Sequence, residues 1–523
     1  MQLSGLFLLF LAVFLPLYFV LPRQTQPYLL LVGSVAFYAF AGWRALTVLT
    51  VLTAVTYIAG RCIGRVLERQ SKTLEARRAD GSWDKAARKD YRAREQRRVR
   101  AWLALGVCLD AALLLVFKLS LPTRLGALGW TLPLGLSFVT LGAIGYLFDV
   151  AREQIARETN VFRFALFLCY FPQMWQGPIS RYGELAPQLT APHAFEGRRA
   201  AQGMLRSLWG CVKKLVFADT AALATAAILE KQQALGGAGM LALIPLYSLQ
   251  IYADFTGGMD VSLGISHALG IELYENFDAP FASPSLGEYW RRWHRSLGRF
   301  FTDYVFYPLS VSRPVLWLSR HARRTFGERL GKRVPLYGAM LCTWFLTGLW
   351  HGASWNFILW GLFNGAFLLL SRELRPLREY MGKRVKPLVA SRPWQLLLCA
   401  GTFLTAGLFR TLDLNPRAGQ TLSLWGQMFT SSTVSSLLDR SFWTALGLSG
   451  AEWGLLGGGV ILMWWVSRQT PRLSHDGRGP LRARIAARPW VCAVLCALAV
   501  CAVLIFGRYG MGYDASSFIY GQF

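Results

Sequence analysis

Charge is scarce in this chain: 16% of its 523 residues are Asp, Glu, Lys or Arg, against roughly 25% in soluble proteins. Acidic residues are scarcer still, 29 against 56 Lys and Arg. That composition excludes a disordered chain and a single soluble domain. The nine cysteines form no CxxC pair and lie mostly inside or beside apolar stretches. A disulfide-stapled secreted module and a zinc site are therefore excluded, and the cysteines read as small core residues. HExxH and the GxxxxGKS/T phosphate loop are both missing, so no metal and no bound cofactor are expected. No internal repeat stands out, which argues against an inverted-repeat transporter.

What fills the chain instead is hydrocarbon. Hydrophobic residues make up 54%, aromatic ones 14%, and the mean hydropathy is +0.33. Apolar runs lie near 3–21, 28–60, 102–117, 132–150, 162–180, 203–229, 239–271, 336–370, 395–410, 445–467 and 489–507. A bilayer takes about 17 to 25 apolar residues as a helix. The pattern predicts an all-α, polytopic integral membrane protein, a single domain over residues 1–523, with roughly eleven to thirteen transmembrane or re-entrant helices. The first run, uncharged from Met1 to Pro22, has no basic n-region and is followed at once by another. It reads as a retained membrane segment rather than a signal peptide.

The formal charge of +27 sits between the runs rather than on one soluble face. That distribution is the positive-inside signature of a multi-pass membrane protein, and no nucleic-acid partner is expected. Residues 61–102 are the clearest case. From Arg61 to Arg100 there are fourteen basic and six acidic residues, mixed at helical spacing, which predicts a charged cytoplasmic loop folded as a solvated helical hairpin. The basic stretches Arg372–Arg392 and Arg468–Arg488 are expected on the same side.

Inside hydrocarbon an unpaired ionisable group costs several kcal/mol, so polar groups within the runs are the functional candidates. Of the six histidines, His193, His321 and His475 lie in polar or loop-like surroundings, and His267 lies near a helix end. His351 differs, because it sits in the uncharged stretch Leu341–Gly361. A continuous helix there would align Thr343, Thr347, His351 and Ser354 on one face. Gly348 and Gly352 would allow close approach, and Trp350 and Trp355 would wall out water. Such an imidazole, with an ordinary pKa of about 6.5, either ties helices together by hydrogen bonds or takes a proton from a hydroxyl as a general base.

His294 lies in Ser285–Tyr304, which opens with a Ser285/Glu288 capping box. As one helix, this stretch projects Trp290, Trp293, Leu297, Phe300 and Phe301 on one side and Arg291, Arg292, Arg295 and Arg299 on another. The pattern predicts an amphipathic interfacial helix with His294 on its aromatic side. The arginines suit a phosphate-bearing donor or anionic lipid. Two further patches interrupt the apolar runs. Phe171–Arg181, with Pro172, Gly177 and Pro178, predicts a re-entrant turn lining a cavity. Tyr252–Asp260 places Asp254 and Asp260 beside Gly257 and Gly258 and predicts irregular backbone around a wet pocket, with ion pairing as the simpler use of the carboxylates.

Phe10–Tyr18, Ser34–Tyr38, Pro133–Phe138, Phe171–Arg181, the Asp254 motif, Trp290–Pro308, Trp350–Asn356 and Phe518–Phe523 follow one another in a familiar order. In these motifs the sequence resembles the membrane-bound O-acyltransferase family, in the bacterial branch typified by the alginate O-acetylation membrane protein. The resemblance implies helices around a central tunnel, in which a cytoplasmic acyl donor such as acetyl-CoA meets an acceptor from the other side. It implies that His351, in the WHG motif, is catalytic and that His294, in the WxxWHxSL motif, is the second signature residue. Trp350, Trp355, Asn356, Asp254, Arg181 and Asp303 make the candidate substrate-binding set. A bacterial inner (cytoplasmic) membrane location, O-acetylation of an exported polysaccharide and an extracytoplasmic esterase-like acetyltransferase partner are likewise implied. The chain departs from the family's YxDFSGYSD at Tyr252–Asp260, losing a tyrosine and a serine, and from its FIYFQF at Gly521. Two alternatives stand beside this reading: the D-alanyl transfer protein of teichoic acid synthesis, which shares both histidine motifs, and, in another class, a transporter or flippase.

Overall fold

A segment in hydrocarbon has to satisfy its own backbone hydrogen bonds, and a helix does so internally. The computed structural model describes residues 5–40, 42–120, 130, 132–414, 417–430, 435–469, 485 and 488–509. Among these residues there are helices and no strand. The Phe518–Phe523 motif with Gly521, His475 and most of Arg468–Arg488 lie outside them.

The chain forms two compact units that are interleaved in sequence. One takes residues up to Ala200 together with Ile265–Tyr274, and the other takes Ala201–Gly264 and residues from Glu275 onward. The first unit carries α1 (Gly5–Val20), α2 (Gln26–Ala39), α3 (Trp43–Ala79), α4 (Lys85–Ser120), α5 (Leu136–Ala151), α6 (Val161–Cys169), α7 (Phe171–Gln176) and α8 (Tyr182–Thr190). Phe171 packs edge-on against Phe10 and Phe14 with ring centroids 5.3 Å apart in each case. Helices α3 and α4 run antiparallel through the charged stretch 61–102, and the buried Asp110 carboxylate accepts from Thr56 Oγ1 at 3.0 Å. Backbone is non-helical at Tyr170 and again at Gly177, so the Pro172–Pro178 segment is interrupted as its composition requires.

The second unit carries most of α9 (Gly197–Cys211), a π-helical turn (Val212–Ala218), α10 (Asp219–Glu230) and most of α11 (Gln232–Ala268), followed by α12 (Leu286–Arg292), α13 (Arg295–Phe301), α14 (Tyr307–Ser310) and α15 (Arg313–Gly331). Then come α16 (Val334–His351), α17 (Trp355–Glu373), α18 (Arg375–Arg384), α19 (Lys386–Ala390), α20 (Arg392–Arg410), α21 (Ala418–Thr430), α22 (Arg440–Thr444), α23 (Gly450–Gln469) and α24 (Pro489–Phe506). Five helices among the described residues are long and apolar enough to cross a membrane, namely α3, α4, α11, α20 and α24; α17 and α18 make a sixth if their 43° bend is one broken span. Other apolar runs form shorter helices, as in α1 and α5.

Two stretches fold differently from what their sequence pattern predicts. Tyr252–Asp260 is not irregular: it is continuous helix within α11, whose non-helical residue is Gly236, at φ 48° and ψ −135°. Gly257 serves close packing instead. A Cβ there would lie 2.9 Å from Gly210 O, and one on Gly210 would lie 2.5 Å from Gly257 O, so α9 and α11 cross backbone to backbone. Ser285–Tyr304 is not one helix either. It breaks between α12 and α13, with His294 left-handed at φ 46° and ψ 53°.

The glycine crossing yields a stability prediction. Overpacking a tight contact costs about 1 to 3 kcal/mol, so Gly257→Val should lower the unfolding midpoint of detergent-solubilised protein. Gly457→Val, at a glycine with nothing within 4 Å, should leave it unchanged. Equal midpoints for the two variants would contradict this account of the crossing.

Candidate active site

His351 is the last residue of α16, and Gly352 turns extended behind it, its N–H donating to Gly348 O at 3.0 Å. The return helix α17 lies unusually near. A Cβ on Gly361 would stand 2.3 Å from Trp344 O, and one on Gly348 would stand 2.4 Å from Phe357 O. This approach brings Trp360 edge-on to the His351 ring, centroids 4.8 Å apart, with Trp350 at the same distance on another side. The imidazole keeps 8% exposure.

His294 lies in the break between α12 and α13 and is 3% exposed. Its ring meets Phe255 of α11 edge-on at 4.9 Å and Trp350 at 6.2 Å. Trp350 therefore stands beside both histidines. A left-handed backbone costs a non-glycine residue about 1 to 2 kcal/mol, and such strain collects at functional sites. Burial pushes the imidazole of His294, outside the long spans, down to about 3. It stands neutral, as a weak base with an N–H to donate.

Asn364, fully buried on α17, ties that helix to α12. Its Oδ1 accepts from Trp290 Nε1 of α12 at 3.1 Å, and its Nδ2 donates to Trp360 O of α17 at 2.8 Å. Trp290 also packs on Trp344 and Trp360, at 5.0 and 5.6 Å. In the sequence Asn364 has no distinction beyond being an amide in an apolar run.

The other candidates have surroundings of their own. Trp355 does not wall the site: it is 72% exposed at the start of α17, and Trp360 takes that place because it lies further along the helix, opposite His351. The stripe expected through Ser354 also ends early, since α16 stops at His351. Thr343 and Thr347 donate to carbonyls four residues back, and Ser354 hydrogen-bonds the buried Asn356 Oδ1. Asp303 is half-buried on the π-helical turn after α13. Arg181 belongs to the first unit, at the start of α8.

Asp254 is ion-paired. Its carboxylate lies 2.7 Å from Lys214 Nζ, which also meets Asp219 at 2.8 Å. Asp260 meets Lys213 at 2.7 Å and Arg206 at 2.8 Å, and Arg206 continues to Glu275 at 2.7 Å. Lys213 and Lys214 are detectable in the sequence as two adjacent cations in an otherwise apolar run, a costly placement unless paired. The pairs fix α11 against α9 and the π-helical turn, with Phe255 next to Asp254 in sequence. His267 pairs with Glu272 at 2.9 Å, in keeping with its place near a helix end.

A family profile described as the membrane-bound O-acyltransferase family matches residues 146–404, a stretch that contains both histidines. The chain is also 31% identical over 405 residues to the probable alginate O-acetylase AlgI of Azotobacter vinelandii, covering 74% of this chain and 71% of that protein. The chain belongs to the membrane-bound O-acyltransferase family. It is accordingly an O-acyltransferase and a multi-pass membrane protein. It is also similar to a peptidoglycan O-acetyltransferase of Helicobacter pylori, 30% identical over 52% of this chain and 55% of that protein. A teichoic acid D-alanyltransferase of Streptococcus thermophilus is 28% identical over 54% of this chain and 66% of its own length.

Removing one partner of a buried ion pair costs about 3 to 5 kcal/mol. Lys214→Met should therefore lower the thermal midpoint sharply, and adding Asp254→Leu should recover part of the loss. A Lys214→Met protein as stable as the parent would show that the pair contributes nothing.

Proposed function

We propose that this O-acyltransferase transfers an acetyl group from acetyl-CoA, supplied from the cytoplasmic side of a bacterial inner membrane, toward the hydroxyls of an exported glycan. One observation carries the reading: two buried imidazoles flank a single indole, Trp350, in an aromatic enclosure. The acetylating relatives support the acetyl group and the glycan. The exposed basic helices around residues 61–102 support a cytoplasmic face on that side. An extracytoplasmic esterase-like protein is the proposed partner on the opposite face.

The chemistry divides between the histidines. His351 takes the proton of the acceptor hydroxyl as its oxygen attacks the thioester carbonyl. A tetrahedral centre forms with negative charge on the former carbonyl oxygen, and the neutral His294 donates its N–H to that oxygen. The carbon–sulfur bond then breaks, the acetyl ester remains on the acceptor oxygen, and the thiolate takes the proton from the His351 imidazolium. The rings of Trp350, Trp360 and Phe255 exclude water, which keeps hydrolysis of the thioester slow. Trp350 borders both imidazoles and is the side chain best placed to shape the acyl pocket.

The roles predict different tolerances. His351→Ala and His351→Gln should both abolish glycan O-acetylation in cells, since neither replacement accepts a proton; general base loss costs about 100- to 10,000-fold. His294→Gln keeps an N–H and should retain more activity than His294→Ala, which forfeits about 100- to 1,000-fold. Acetylation that survives His351→Gln would defeat the assignment. Labelled acetyl-CoA and a D-alanyl carrier thioester, offered in turn to membrane vesicles, would decide the donor: acetyl label in the glycan is expected, and D-alanyl label alone would reverse it.

A further inference from the structure

His294 occupies the position before the first turn of α13, where a Ser, Thr, Asp or Asn side chain would ordinarily accept from the free amides of the helix. Its imidazole does not cap. Asn276 meets those amides from another part of the chain. The Asn276 carbonyl oxygen accepts from Arg295 N at 3.0 Å, and its Oδ1 accepts from Ser296 N at 2.8 Å. Two residues on, Asp278 N donates to Arg292 O at 3.0 Å, so the same loop closes the end of α12. The loop Asn276–Asp278 thus satisfies backbone groups on both sides of the break, groups that would be costly to bury alone.

Behind the break stands a buried cation. The Arg410 guanidinium, at the end of α20, lies 4.0 Å over the Trp293 ring, and its Nη2 donates to the Tyr289 hydroxyl at 2.5 Å. Trp293 is further boxed edge-on by Phe277 at 5.0 Å. The residues on both sides of His294 are thus fixed by groups outside α12 and α13, which is what a left-handed non-glycine backbone needs in order to persist.

We infer that Asn276 and Arg410 are positioning residues for His294: Asn276 caps α13 in place of the histidine and so releases the imidazole toward Phe255 and Trp350, while Arg410 fixes the residue before it. This rests on the reading of His294 as part of the reaction centre. The loss of either clamp lets the turn relax and misdirects the ring, and small misplacements of a catalytic group cost rate without costing substrate affinity.

The test follows release of free thiol from acetyl-CoA by purified detergent-solubilised protein, with glycan from the producing cells as acceptor. Asn276→Ala should lower kcat at least tenfold with KM for acetyl-CoA within threefold, and Asn276→Asp, which keeps the acceptor oxygen, should restore most of the rate. If Asn276→Ala does not fold, Arg410→Lys carries the same test. It keeps the charge, loses the flat stack on Trp293, and should lower kcat severalfold at unchanged KM. Wild-type kcat in Asn276→Ala, or in Arg410→Lys where that stands in, overturns the inference. So does an Asn276→Asp protein as slow as Asn276→Ala. His294→Ala is measured alongside. If it keeps wild-type kcat, the underlying reading fails and takes the inference with it; if it is inactive beside a fully active Asn276→Ala, only the inference falls.

Discussion

Trp350 is the shared wall of the site, and the surrounding helices are arranged so that two imidazoles can reach it. Its ring centroid lies 4.8 Å from that of His351 and 6.2 Å from that of His294. The first contact follows from sequence adjacency. The second requires a broken helix, a left-handed residue and a buried amide, Asn364, joining α12 to α17. In a low-dielectric interior such polar groups are tolerated only where they are partnered or used. Lys213, Lys214, Asp254 and Asp260 are paired with one another and with Arg206 and Asp219, and aromatic rings border both histidines.

The departure from the family motif at Tyr252–Asp260 becomes intelligible on the same terms. Each retained position does something physical. Asp254 pairs with Lys214, Phe255 faces His294, Gly257 permits the crossing with α9, and Asp260 pairs with Lys213 and Arg206. Met259, at one of the altered positions, offers its sulfur to Asn276 Nδ2 at 3.4 Å. The changes thus leave the skeleton of the site in place.

Much of this is legible in the sequence, for identifiable reasons. Uncharged runs declare helices in hydrocarbon whatever their neighbours, and His351 stands out because an imidazole in the uncharged stretch Leu341–Gly361 has to be either partnered or used. The Ser285 cap is readable as well: its Oγ accepts from Glu288 N at 3.3 Å. What periodicity cannot show is the break at His294. The stretch from Trp290 to Phe301 holds no proline, and its single glycine lies beyond the break. The interruption is imposed by Asn276–Asp278 from a separate loop, a tertiary effect without a local signal. Proximity in sequence to His351 favours Trp355 over Trp360, but the chain reverses at Gly352 and the facing tryptophan lies one to two turns further on. Glycines beside carboxylates suggest irregular backbone at Gly257, where the structure uses them for helix contact.

The most direct measurement is an experimental structure of the detergent-solubilised protein bound to a non-hydrolysable acetyl thioester analogue of acetyl-CoA. The account predicts the acyl carbonyl beside Trp350, its oxygen within hydrogen-bond reach of a His294 ring nitrogen and its carbon open to attack from the His351 side. An analogue whose acyl end rests away from both imidazoles, with Trp350 still closed over them, would contradict it.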